Sequence, residues 1–151
     1  MDENMPKSED LAKDKERKEK RKFLIADDET AVARFLKIHL VKKYPDCDVE
    51  IVSDGKSLFH SLDQSLASGQ KVDITFTDNN MPGMNGIDAV AKVCATHDIK
   101  SIPFILLTGR DSEAIRPQAE ALGGVCVQKP YSKDDLYEAI DKVQKRHGLV
   151  F

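Results

Sequence analysis

The sequence has no tryptophan and only three cysteines, Cys47, Cys94 and Cys126, an odd and widely separated set. With no Cys-x-x-Cys pair and no histidine at zinc spacing, neither a disulfide framework nor a structural metal site is indicated, and free thiols in a reducing compartment are expected. Long apolar runs are also missing. The stretch from Ile102 to Leu107 is broken by Pro103, and the charged amino terminus lacks the apolar core of a signal peptide. No membrane insertion and a cytoplasmic location are therefore expected. Neither charge sign dominates: 23 Lys and Arg against 26 Asp and Glu leave −3, too small a balance to indicate a nucleic-acid partner.

What is present suits one globular domain. The chain has 151 residues, 40% of them hydrophobic and 32% charged, enough to bury a core under a well-solvated surface. Residues 1–21 stand apart as a charged tail, in which Leu11 and Ala12 are the only apolar side chains after Pro6. The pairs Glu9/Lys13, Asp14/Lys18 and Glu16/Lys20 have the helical i, i+4 spacing, but each contributes only about 0.2–0.5 kcal/mol. A disordered or frayed segment is expected there, with a partner-binding or membrane-surface arm as the alternative. Residues 22–151 form the domain, and no second domain is expected after them.

From Phe23 onward, short apolar runs alternate five times with segments of helical period. The strands read Phe23 to Ala26, Val49 to Val52, Ile74 to Asp78, Phe104 to Leu107 and Val125 to Gln128. Ala31, Val32, Phe35, Leu36, Ile38, His39 and Leu40 mark the first helix, stopped by Tyr44-Pro45; Leu58, Phe59, Leu62 and Leu66 mark the second, stopped by Gly69. A third helix spans about Ile87 to Thr96. Pro117 predicts a fourth that is short, starting near Arg116, or else irregular in its first turns. Ser132 and Asp135 form a capping box for the last, with Leu136, Ile140 and Val143 as its buried stripe and Gly148 as its end. Five such units, with strands that read as buried on both faces, predict a doubly wound parallel α/β sheet with helices on both sides.

In a parallel sheet the carboxyl ends of the strands share one edge, where ligands bind. Asp27-Asp28 ends the first strand, Asp78 the third, Thr108 the fourth, and Lys129 follows the fifth. Each has an ordinary reading alone: Asp27 or Asp28 as a helix cap, Asp78 as a turn residue, Thr108 as a strand residue, Lys129-Pro130 as a turn. Together they bring carboxylates close enough to repel unless a hard cation joins them, and Mg²⁺ takes such oxygen ligands. Asp28 and Asp78 are expected as direct ligands, with Asp27 acting through water. Asp78 then becomes a candidate nucleophile toward a phosphoryl group, and Lys129 and Thr108 supply a positive charge and a hydroxyl for its oxygens.

These residues, with Asn80-Met81-Pro82-Gly83-Met84-Asn85-Gly86, Thr108-Gly109 and Lys129-Pro130, resemble the receiver domains of two-component response regulators, most closely the free-standing chemotaxis type. The resemblance covers roughly Arg21 to Gly148. It implies a flavodoxin-like sheet of order 2-1-3-4-5, and phosphorylation of Asp78 by a sensor histidine kinase or phosphotransfer protein. It further implies Mg²⁺ held by Asp28, Asp78 and the backbone carbonyl of Asn80, Thr108 and Lys129 on the phosphoryl group, and a cis Lys129-Pro130 bond. Such a chain would be a switch or relay intermediate that catalyses only its own phosphorylation and dephosphorylation. Its output would pass by contact with a downstream protein, and homodimerisation on activation is a further expectation. The chain departs from the family pattern at Cys126, where an aromatic residue is usual, at Pro117, in a short Leu122 to Val125 connection and in a long segment around Ser61 to Gln70. The departure at Cys126 keeps a constitutive adaptor open as an alternative. A phosphatase with an Asp nucleophile is weaker, because position 80 is Asn where a general acid would be wanted.

Overall fold

The computed structural model describes residues 20–109 and 112–151, so the tail assigned to residues 1–21 lies outside the described residues except for Lys20 and Arg21. Strands β1 (Lys22–Ala26), β2 (Asp48–Val52), β3 (Ile74–Asp78), β4 (Phe104–Thr108) and β5 (Gly124–Gln128) pair in parallel in the order β2-β1-β3-β4-β5. They alternate with helices α1 (Thr30–Lys43), α2 (Gly55–Ser68), α3 (Gly86–Thr96), α4 (Ser112–Ala121) and α5 (Lys133–His147). The predicted flavodoxin-like, doubly wound sheet is the one that forms.

Strand side chains alternate between two faces, and each face has its own core. Phe23 and Ile25 of β1 pack with Leu36 and Leu40 of α1 and with Leu136, Ile140 and Val143 of α5. Leu24 and Ala26 turn the other way, toward Leu58 and Leu62 of α2, Val90 and Val93 of α3 and Ala119 of α4. At the amino end of the strands an aromatic cluster seals the first core. Phe23 lies 5.5 Å from Tyr44 and 5.8 Å from Phe151, Tyr44 and Phe151 are 5.4 Å apart, and the Arg21 guanidinium sits 5.5 Å over the Phe151 ring.

Helix ends follow the expected chemistry. The Asp54 carboxylate accepts the Ser57 N–H at 2.7 Å at the start of α2, and Gly69 closes that helix in the left-handed conformation at φ 75°. Ser132 and Asp135 form the capping box of α5, with bonds of 3.0 and 3.1 Å, and Gly148 is its left-handed C-cap.

Three expectations need correction. β2 is an edge strand and is only partly covered, with Ile51 exposed, so it is not buried on both faces. In α1 only Ala33, Leu36 and Leu40 are buried, while Phe35, Ile38 and Val41 point outward. Helix α4 begins at Ser112 rather than near Arg116 and runs on through Pro117. Proline removes one N–H, so a single helical bond, to the Glu113 carbonyl, is forgone. The exposed Pro117 ring meets no core packing, while Ser112 and Ala119 anchor the helix on its buried side.

Candidate functional site

Strand register builds the site. Ala26 pairs with Thr77, so Asp27 and Asp78, each one residue further on, come side by side. The Asn79 N–H continues the ladder to the Leu107 carbonyl at 3.2 Å, and the Lys129 N–H donates to the Thr108 carbonyl at 2.7 Å. Four strands thus deliver Asp27, Asp28, Asp78, Thr108 and Lys129 to one edge. The Lys129 ammonium lies 3.3 Å from Asp78 Oδ1 and 3.8 Å from Asp27 Oδ2, between the two carboxylates.

Asp27 is 2% exposed. Its Oδ1 accepts the Glu29 N–H at 2.8 Å, whereas its Oδ2 is buried without a hydrogen-bond partner. Burial pushes the Asp27 carboxyl above its ordinary range; the Glu29 N–H and Lys129 pull the other way, and the charges of Asp78 and Asp28 add to the rise. Asp28 is exposed beside it. One carboxylate oxygen from each of Asp27, Asp28 and Asp78 lies within 4.8 Å of the others. Neither Asp27 nor Asp28 caps α1, whose N-cap is Glu29 with no side-chain bond to the helix. Thr108 is fully buried at the end of β4, and Asn80 is exposed in the β3–α3 loop. The Lys129-Pro130 bond is cis.

Two further residues shape the site and escaped the sequence reading. Asn79 is buried; its side-chain oxygen accepts the Ile87 N–H at 3.1 Å, and its carbonyl accepts the Gly86 N–H at 2.9 Å. It thereby staples both ends of the loop that follows Asp78. Gly86 is required at that staple, because a Cβ there would collide with the Asp78 carbonyl and the Thr77 hydroxyl. Tyr131, two residues after Lys129, is partly buried, and its phenol is pushed up to about 12 by burial and by the negative charges of Asp27 and Asp78. An Asn directly after a strand carboxylate was the available clue to the first. Nothing local marks the second.

The residues present fit a hard divalent cation. Three carboxylate oxygens in mutual reach, one side exposed through Asp28, and a buried Asp27 oxygen without a hydrogen-bond partner form an oxygen donor set of the kind Mg²⁺ accepts. Cys126, where the resemblance calls for an aromatic ring, is a buried β5 residue in the second core, paired in register with Leu106.

Fold and site together define a doubly wound α/β domain with an acidic, cation-fitting edge on a flavodoxin-like sheet. Comparison with known proteins makes this specific: the response regulator receiver domain model matches residues 23–141, and the chain belongs to that family. It is 33% identical over 129 residues to the chemotaxis protein CheY of Pseudomonas aeruginosa, covering 83% of this chain and 97% of that one. It is 29% identical over 126 residues to chemotaxis protein CheY-3 of Vibrio cholerae, covering 83% and 92%. Among solved structures, the receiver domain of Francisella response regulator 1452 superposes with a TM-score of 0.66 at 26% identity, over 84% of this chain and 98% of that one. Receiver domains of this kind are switches of two-component signalling rather than enzymes with a turned-over substrate. Among the described residues no helix is long and apolar enough to cross a membrane.

Proposed function

We propose that this chain is a free-standing receiver in which Asp78 accepts a phosphoryl group from the phosphohistidine of a sensor kinase or phosphotransfer protein. The observation that supports it most is the Lys129 ammonium set between the Asp78 and Asp27 carboxylates at the shared strand edge. An Asp78 oxygen attacks phosphorus, the bond to the donor nitrogen breaks, and the imidazole leaves. Asp28, Asp78 and the Asn80 carbonyl would hold Mg²⁺, with Asp27 acting through water. The cation would offset repulsion between the attacking carboxylate and the incoming anion. Lys129 and Thr108 receive the phosphoryl oxygens, Lys129 exchanging part of its contact with Asp78 for the new charge. Output passes by protein contact, with homodimerisation as one form it can take. The test is mass spectrometry after incubation with acetyl phosphate and Mg²⁺. A phosphoryl adduct is expected on the wild type, lost in Asp78→Ala and suppressed by chelator; an undiminished adduct in Asp78→Ala would overturn the assignment.

Cys126 favours one second reading, a constitutive adaptor, because the buried position that would carry a switching ring carries a small thiol instead. Partner affinity that is unchanged by phosphorylation would select it.

A further inference from the structure

The sheet face that carries the second core changes character at its amino end. Leu24 turns to that face, strand alternation places Lys22 with it, and Glu50 of β2 pairs in register with Leu24. Opposite them lies α2, whose buried stripe runs Leu58, Leu62 and Ser65 at helical spacing. The third position, where an apolar side chain would close the helix onto the sheet, is a serine. A cavity of about 510 Å³ opens there, and six of the eight residues that line it belong to the Ser61 to Gln70 segment, which departs from the family pattern.

The lining is polar and balanced in charge. The Lys22 ammonium lies 3.5 Å from Glu50 Oε1, and the Ser61 hydroxyl donates to Glu50 Oε2 at 2.9 Å. Ser65 is 7% exposed, and among the described residues its hydroxyl makes no hydrogen bond. Gln64 and Gln70 stand exposed on the rim, their side-chain amides likewise unengaged. A buried hydroxyl without a partner is costly, so whatever completes the site must hydrogen-bond. An anion attracted by Lys22 would be repelled by Glu50, and a cation would meet the reverse. A neutral polyol would exchange water's hydrogen bonds for its own at little gain, and no aromatic ring lines the cavity to stack a sugar. A molecule carrying both an ammonium and a carboxylate opens the half-exposed Lys22 and Glu50 pair and leaves neither charge alone.

We propose that this cavity binds a free α-amino acid with a hydrogen-bonding side chain. The ligand carboxylate pairs with Lys22, its ammonium pairs with Glu50, and its side chain reaches the Ser65 hydroxyl and the Gln64 and Gln70 amides. The volume falls within the range of small-molecule sites, about 300–1,000 Å³. The cavity shares no residue with the acidic edge, so the proposal does not depend on the phosphoacceptor reading.

The test is an NMR titration of the full ¹⁵N-labelled chain with each of the twenty common L-amino acids. At least one with a polar side chain is expected to bind with a Kd of about 1 mM or tighter, shifting the amides of Lys22, Glu50 and Ser61 to Gln70. Its N-acetyl derivative, which lacks the ammonium, and its carboxamide, which lacks the carboxylate, should each bind at least tenfold more weakly. These derivatives are tried on the wild type, so the outcome stands whether or not a variant folds. Lys22→Gln and Glu50→Gln should also weaken binding at least tenfold, Ser65→Leu should abolish it by filling the cavity, and Lys145→Gln on α5 should leave it unchanged. Circular dichroism checks that these variants stay folded. No amino acid binding at that affinity would make the cavity a water site and overturn the proposal. So would shifts located elsewhere, equal binding of the two derivatives, or undiminished binding in folded Lys22→Gln and Glu50→Gln.

Discussion

The two ends of the sheet are built from opposite materials. At the amino end Phe23, Tyr44 and Phe151 stack at tilted and edge-on angles, with the Arg21 guanidinium over the Phe151 ring. At the carboxyl end three carboxylates crowd together, two of them against one lysine, and a buried oxygen goes without a hydrogen-bond partner. Burial of rings stabilises, whereas burial of an incompletely paired charge costs. A fold can carry the second because it has the first: the reactive edge is held in place by strands anchored at the other end of the same backbone.

The largest expected test of that division is at the sealed end. Phe23→Ala should cost about 3–5 kcal/mol, the usual range for deleting a fully buried ring, read from urea unfolding. Labelling of the folded fraction by acetyl phosphate should persist, and its loss would show that the two ends are not separable.

At the reactive edge the sign should reverse. Asp27→Asn removes a charge that burial disfavours and should raise stability by about 0.5–2 kcal/mol in metal-free buffer near neutral pH, the scale of gain found when a functional compromise is relaxed. Because the folded carboxyl titrates above its unfolded value, the folded state binds the proton more tightly; the penalty is absent below about pH 3.9 and grows as pH rises through the folded value. The gain from Asp27→Asn should therefore vanish in acid. Added Mg²⁺ should narrow it from the other side, stabilising wild type by about 1.4 kcal/mol at ten times the dissociation constant and the variant less.

The smallest effect sharpens the contrast. Asp54 caps α2, and the Ser57 N–H and hydroxyl hold its carboxyl below the ordinary range. Its contribution is complete above about pH 3.9 and is lost as pH falls through the lower folded value. Asp54→Ala should thus lower the melting temperature slightly at neutral pH and progressively less in acid, the reverse of the Asp27 profile at the start of the curve.

The sheet edge was legible because turn residues follow each strand: Asp78 before Asn79 to Gly86, Thr108 before Gly109, Lys129 before Pro130. A strand end is written in a few adjacent residues, and parallel pairing supplies the convergence. Coverage was not legible. Val49-Glu50-Ile51-Val52 reads like a central strand, and only its place at the end of the order exposes Ile51. In α1 apolar residues occur on nearly every side, so periodicity could not choose between Leu36 and Phe35. Pro117 was given too much weight, since it lies on the exposed side of a helix that runs through it. Asn79 and Tyr131 resemble loop filler until the backbone groups and charges around them are known.

The position of Lys129 gives an experimenter something practical. One ammonium group shared between Asp27 and Asp78 acts as a balance pointer, and any group that changes the charge on one pan moves it. Its side-chain nitrogen resonance should therefore read occupancy of the acidic edge directly, for cation and phosphoryl group alike, with no dye or tag attached to the protein.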